Sequence, residues 1–68
     1  MPVKVYSFKA FDINNNTNII SEYFATEEAI KLFDAEIFDR SIFFYVSLDD
    51  LDGDGRIHKT KLEKLLSQ

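Results

Sequence analysis

Residues 3–13 read V-K-V-Y-S-F-K-A-F-D-I, a run rich in β-branched and aromatic residues with no helical period. Such a run fits a pleated, half-buried surface, so the spacing predicts a strand. Its apolar residues occupy both phases of the pleat. Val3 and Val5 share one side, whereas Tyr6, Phe8 and Ala10 share the other. Either a bulge reverses the phase or both faces of the sheet are covered.

The neighbouring segments extend this sheet. Asn14, Asn15, Asn16 and Thr17 supply turn chemistry, because asparagine tolerates the left-handed conformation and bonds its own backbone. Residues 18–25 then return as a second strand and close a hairpin. Thr26 is placed to cap a helix, with Glu27 and Glu28 at the positive end of its dipole. Ile30, Phe33 and Ile37 follow at spacings of three and four, widened by Ala29, Leu32 and Phe38, which predicts a helix over 26–40. Glu27 with Lys31, and Glu36 with Arg40, would support it at i,i+4.

Residues 42–48, I-F-F-Y-V-S-L, are β-formers and alternate: Ile42, Phe44, Val46 and Leu48 on one side, Phe43, Tyr45 and Ser47 on the other. They predict an interior strand. Residues 56–59 fit a short edge strand pairing back on residues 42–48, and Thr60-Lys61-Leu62-Glu63 reads as a capping box opening a short helix with Leu62, Leu65 and Leu66 inward. The expected fold is α+β: a small antiparallel sheet of three to four strands, order ββαβ(β)α, with one main helix packed on it. Phe43, Tyr45 and one phase of the first strand then ask for cover on the opposite face, from the terminal helix, a partner or a second copy in a homodimer.

Composition bounds the function. Sixty-eight residues make one domain with a modest core, and the absence of cysteine removes thiol catalysis, Cys-based zinc sites and disulfides, so a reducing, cytoplasmic setting is expected. The start, M-P-V-K-V-Y, has no signal-peptide pattern, and no stretch is uniformly apolar for the roughly 18 residues that spanning a membrane requires. Net charge is −4. Direct nucleic-acid binding needs a clustered basic surface, so a basic protein partner suits this chain better. Residues 49–54 carry four acids and no base, equal in size to the whole net charge.

That acidic block lies within D-L-D-G-D-G-R-I, residues 50–57, which resembles the calcium loop of EF-hand and dockerin modules. Calcium takes six to eight oxygens, and glycine at the sixth position permits the sharp turn. The resemblance implies Asp50, Asp52 and Asp54 as the first, third and fifth ligand positions, Gly55 as the sixth, the backbone carbonyl of Arg56 as a further ligand, and Ile57 as the apolar eighth. His58 falls at the ninth. The twelfth position, an acidic ligand in that family, holds Lys61, and the segment before the loop reads as strand where an EF-hand has helix. What the resemblance implies is therefore weak binding, on the order of millimolar. Read without it, D-G-D-G is turn chemistry.

Nothing comparable points to catalysis. His58 is the single histidine, no G-x-S-x-G, glycine-rich phosphate loop or histidine-containing zinc pattern occurs, and Asp49 and Asp50 sit in a loop too small to exclude water. The reading from these residues is a non-enzymatic protein-binding module. Glu27, Glu28, Asp34, Glu36 and Asp39, with the loop aspartates, would face a basic surface of a larger protein, and Phe43 and Tyr45 would supply affinity. In size and charge the chain is similar to phage-encoded inhibitors of nucleic-acid machinery, including anti-CRISPR proteins, although no motif links it to one. Calcium binding by the loop is the alternative.

Overall fold

A computed structural model of the chain describes residues 2–67. Its elements are β1 (Pro2–Asp12), β2 (Thr17–Ala25), α1 (Glu27–Leu32), β3 (Glu36–Ile37), β4 (Phe43–Ser47), a single 3-10 turn (Leu48–Asp50), β5 (Arg56–His58) and α2 (Lys59–Leu66). The class is α+β, as expected. The sheet is antiparallel with five strands, more than the three to four anticipated, and their order is β3-β1-β2-β5 with β4 also on β1.

β1 organises everything else. One of its sides pairs β2; the other pairs β4 along residues 2–6 and β3 at Phe8 and Lys9. Eleven extended residues span about 36 Å, and the longest extent of the molecule is 37 Å. β1 therefore sets the long axis.

The double phase of β1 has a direct explanation, since residues 5–8 are buried without a break. Tyr6 and Phe8 pack with Ala25, Ala29 and Ile30 beneath α1. Val5 packs with Val46, Ile57 and Leu62 beneath α2, with Val3, Phe24 and Phe44 alongside. Both faces are covered. A register irregularity also exists, but it lies mainly in β2: β1 advances two positions from Ser7 to Lys9 while β2 passes four, from Phe24 to Ile20.

The helix expected over 26–40 is cut short. Thr26 does cap it, its Oγ1 accepting from the Ala29 amide at 3.2 Å. It ends at Leu32, where Asp34 enters the left-handed region at φ 57°. The Ala35 amide donates to the Ile30 carbonyl and the Asp34 amide to that of Lys31, the paired bonds of a Schellman stop. Aspartate takes this conformation more readily than most residues. Ile37 then leaves the helical face and pairs with Phe8 across β1–β3. Glu36 turns to Lys9 (3.7 Å), and Arg40, expected beside Glu36, reaches Glu27 instead (2.9 Å).

Three further expectations are corrected. β5 pairs with β2, not with the 42–48 strand, because Ile57 is drawn opposite Phe24 into the α2-side core. β4 has the anticipated alternation, with Val46 buried, Phe44 half-buried and Phe43, Tyr45 and Ser47 exposed, but it pairs only with β1 and is an edge strand. α2 begins before the capping box: His58 is its N-cap, with Nδ1 accepting from the Thr60 amide at 3.2 Å. Leu62 is buried and Leu65 half-buried, whereas Leu66 is exposed.

Candidate functional site

The loop between the 3-10 turn and β5 closes on Asp52. Its Oδ1 accepts from the amides of Asp54 (2.8 Å) and Arg56 (3.0 Å), the geometry that short acidic side chains favour in turns. Its own amide donates to the Arg56 carbonyl at 2.8 Å, and the Gly55 amide donates to the Asp52 carbonyl. The Arg56 guanidinium lies against the carboxylates of Asp52 (3.3 Å) and Asp54 (3.4 Å). Lys61, at the twelfth position of the loop, donates from Nζ to the Asp50 carbonyl at 3.0 Å. β5 and α2 thus bring one cation each, Arg56 and Lys61, to the loop. Among the described residues no three acidic or histidine side chains converge as a metal-binding group. The Arg56 carbonyl, a ligand in the resemblance, is engaged by Asp52.

This loop is anchored to the rest of the fold at Gly55 and Arg56. Gly55 has φ +80°, and its carbonyl accepts from the Thr26 amide at 3.3 Å. Arg56 stacks over the Tyr23 ring, 4.3 Å from its centroid, and Tyr23 meets His58 edge-on at 5.0 Å. A turn that looks like an isolated loop in sequence is therefore tied to the start of α1 and to β2.

The carboxylates assigned to a docking face separate into two groups. Glu27 is held by Arg40 and, at 4.0 Å, by Lys31. Glu36 pairs Lys9. Asp39 Oδ1 accepts from the Ser41 amide (2.9 Å) and hydroxyl (2.7 Å), closing a turn. Glu28, Asp34, Asp49 and Asp50 make no ion pair among the described residues, although Asp34 serves the helix stop with its backbone. With α1 ending at Leu32, the five acids stand on a helix, a turn, a strand and a loop, not on one helical face.

Phe43 and Tyr45 do come together on the exposed side of β4, their rings 5.9 Å apart and edge-on. Tyr45 is 62% exposed. Lys4, directly opposite Tyr45 across β1–β4, places Nζ 4.0 Å from the Phe43 centroid, a cation–π contact. Lys4 was not among the expected site residues. The K-V-Y alternation of residues 4–6 puts it in phase with Tyr6, but its meeting with Phe43 depends on the β1–β4 register.

Three carboxylates here have depressed pKa values. Asp52 is lowered first by the Arg56 amide and then by the Asp54 amide and the Arg56 charge, Asp39 by the Ser41 hydroxyl and amide, and Glu27 by its bond to Arg40 and the charge behind it. A depressed folded-state pKa stabilises the protein above the ordinary carboxylate value and loses that contribution as pH falls through the depressed one. Melting temperature is therefore expected to be level above about pH 5 and to fall steadily below about pH 4. Asp52→Asn should start lower at neutral pH and show a shallower acid limb. Identical limbs in thermal melts of the two proteins would remove the role given to Asp52.

A shallow groove of about 360 Å³ between α1 and β3 has Glu27, Lys31, Glu36, Ile37 and Arg40 in its lining. Its charged groups already have partners, Glu27 with Lys31 and Arg40, and Glu36 with Lys9 outside the groove. No helix of the described residues is long and apolar enough to cross a membrane. Comparisons with family models, curated proteins and solved structures find no match. Fold and site define a small α+β protein with an arginine-closed acidic loop and an aromatic edge strand.

Proposed function

We propose that this protein is a non-enzymatic binding module that docks on a basic surface of a larger protein. The exposed Phe43–Tyr45 pair on an unprotected edge strand carries the reading. Large aromatic groups held on a strand lose little conformational freedom on contact and supply most of the affinity at such surfaces. Glu28, Asp34 and Asp49, which are engaged in no ion pair among the described residues, supply the steering charge, supported by the net charge of −4. Inhibition of nucleic-acid machinery by occupying a phosphate-binding surface suits this pattern, and a reducing, cytoplasmic setting suits a chain without cysteine.

The test uses matched baits. Basic proteins retained by the wild-type chain should be lost, by about tenfold or more, from Tyr45→Ala and from Glu28→Lys with Asp49→Lys, because anchors act on dissociation and rim charges on association. Retention by both variants would sink the reading.

Calcium binding by residues 50–61 is the second reading, supported by the Asp50, Asp52 and Asp54 spacing. Binding would require the Arg56 guanidinium to release Asp52 and Asp54, and Lys61 to leave the Asp50 carbonyl. A calcium-dependent rise in melting temperature that vanishes in Asp52→Ala and Asp54→Ala would establish it, with magnesium as the control.

A further inference from the structure

We propose that two copies of this chain join through the outer edge of β2, residues 17–22, into one continuous antiparallel sheet. β5 pairs with β2 only at Tyr23, Phe24 and Ala25. Beyond them, among the described residues, the outer backbone groups of residues 17–22 have no strand partner. A free edge of this kind is usually blunted by lysine, proline, a bulge, an inward charge or a covering element. Over residues 17–20 this one carries none of them: the stretch reads T-N-I-I and stays in regular register with β1, the β2 irregularity begins only beyond Ile20, and Glu22 is the first charge.

The side chains point the same way. Ile19 and Ile20 are about half exposed, and the adjoining Phe11 and Ile13 are exposed as well, Ile13 at 83%. They cluster at the hairpin end of the molecule, beyond the reach of either helix cluster.

Charge selects a second copy as the occupant. The chain as a whole is acidic, so two copies repel over most of their surfaces, yet residues 13–21 hold no charged group at all. This is the longest uncharged stretch in the sequence. Regular antiparallel pairing of an edge with itself about a two-fold axis must centre on one residue, so that paired residues share a face. Centred on Ile20, it sets Ile19 against Ser21 and Asn18 against Glu22; centred on Ile19, it sets Asn18 against Ile20 and Asn16 against Glu22. In neither register does an acid oppose an acid. Isoleucine meets isoleucine at the centre, a favourable cross-strand pair.

Sedimentation velocity on the full chain from about 10 µM to about 1 mM is the direct test, since an edge of this length gives a small interface. A monomer–dimer equilibrium is expected. Ile19→Lys with Ile20→Lys should raise the dissociation constant by about a hundredfold. Leu32→Lys, an equally apolar but remote exposed site, should leave it unchanged. Should the double variant fail to fold, amide exchange of the wild-type chain decides: protection of the 17–22 amides should rise with protein concentration. A monomer at the highest concentration, a dimer indifferent to the Ile19 and Ile20 changes, or concentration-independent exchange would each overturn the proposal. No second protein enters the experiment, so its outcome is independent of the partner reading above.

Discussion

Ile57→Ala is expected to lower stability by about 3 kcal/mol. Ile57 is 2% exposed and stands at the centre of the α2 side of the sheet, paired with Phe24 and packed with Val5, Val46 and Leu62. Removing its outer carbons leaves a cavity that a short strand tied to a loop on one side and a helix on the other cannot easily collapse. A chain of this length holds a total stability of roughly 3–10 kcal/mol. The variant should therefore be substantially unfolded near physiological temperature. Leu32→Ala, at an 86% exposed site, should stay within about 0.5 kcal/mol of wild type. Urea unfolding of both variants decides the matter. A cost below about 1 kcal/mol for Ile57→Ala would mean that α2 does not close a packed face.

Gly55 is the second sensitive point, for a backbone reason. Its φ of +80° disfavours any side chain, and a Cβ added there would stand 3.1 Å from the Ala29 Cβ and 3.6 Å from the Thr26 Oγ1. Ala29 belongs to α1 and is itself buried, so it has little room to yield. Gly55→Ala should cost about 1–2 kcal/mol from the backbone alone. Gly55→Val adds branching and overpacking and should cost about 3–5 kcal/mol. Gly53 is the internal control: nothing lies within 4 Å of an added Cβ, so Gly53→Ala should fall within about 0.5 kcal/mol of wild type. Equal effects at the two glycines, measured by chemical denaturation, would separate the loop from α1. The glycine that a metal loop would need for its turn is thus also required by helix packing. Its presence is no evidence for a metal.

Much of the fold is legible along the chain because the signals are local. The β-branched and aromatic run of β1, the alternation of β4, the asparagine turn with Asn16 at φ 52°, and the Thr26 cap each act within a few residues. The helix stop was hidden for the opposite reason. Ile30, Phe33 and Ile37 satisfy a helical period, and neither glycine nor proline interrupts residues 27–40. What ends the helix is Asp34 in the left-handed conformation, together with the pairing Ile37 gains against Phe8. Local propensity yields there to a long-range strand contact.

The site divides along the same line. Asp50, Asp52, Asp54 and Gly55 announce an acidic turn in sequence, but the guanidinium that engages Asp52 and Asp54 and the ammonium on the Asp50 carbonyl depend on where β5 and α2 place Arg56 and Lys61. The carboxylates at 27, 28, 34, 36 and 39 looked continuous because a helix would have aligned them. Lys9 and Arg40 engage Glu36 and Glu27 once the chain folds back, whereas the Glu27–Lys31 pair is local to α1. Strand alternation, turn residues and caps are properties of neighbours, so the order of residues carries them. Helix termination, edge position and charge pairing depend on groups brought together across the sheet, and their energies exist only after the chain has closed on itself.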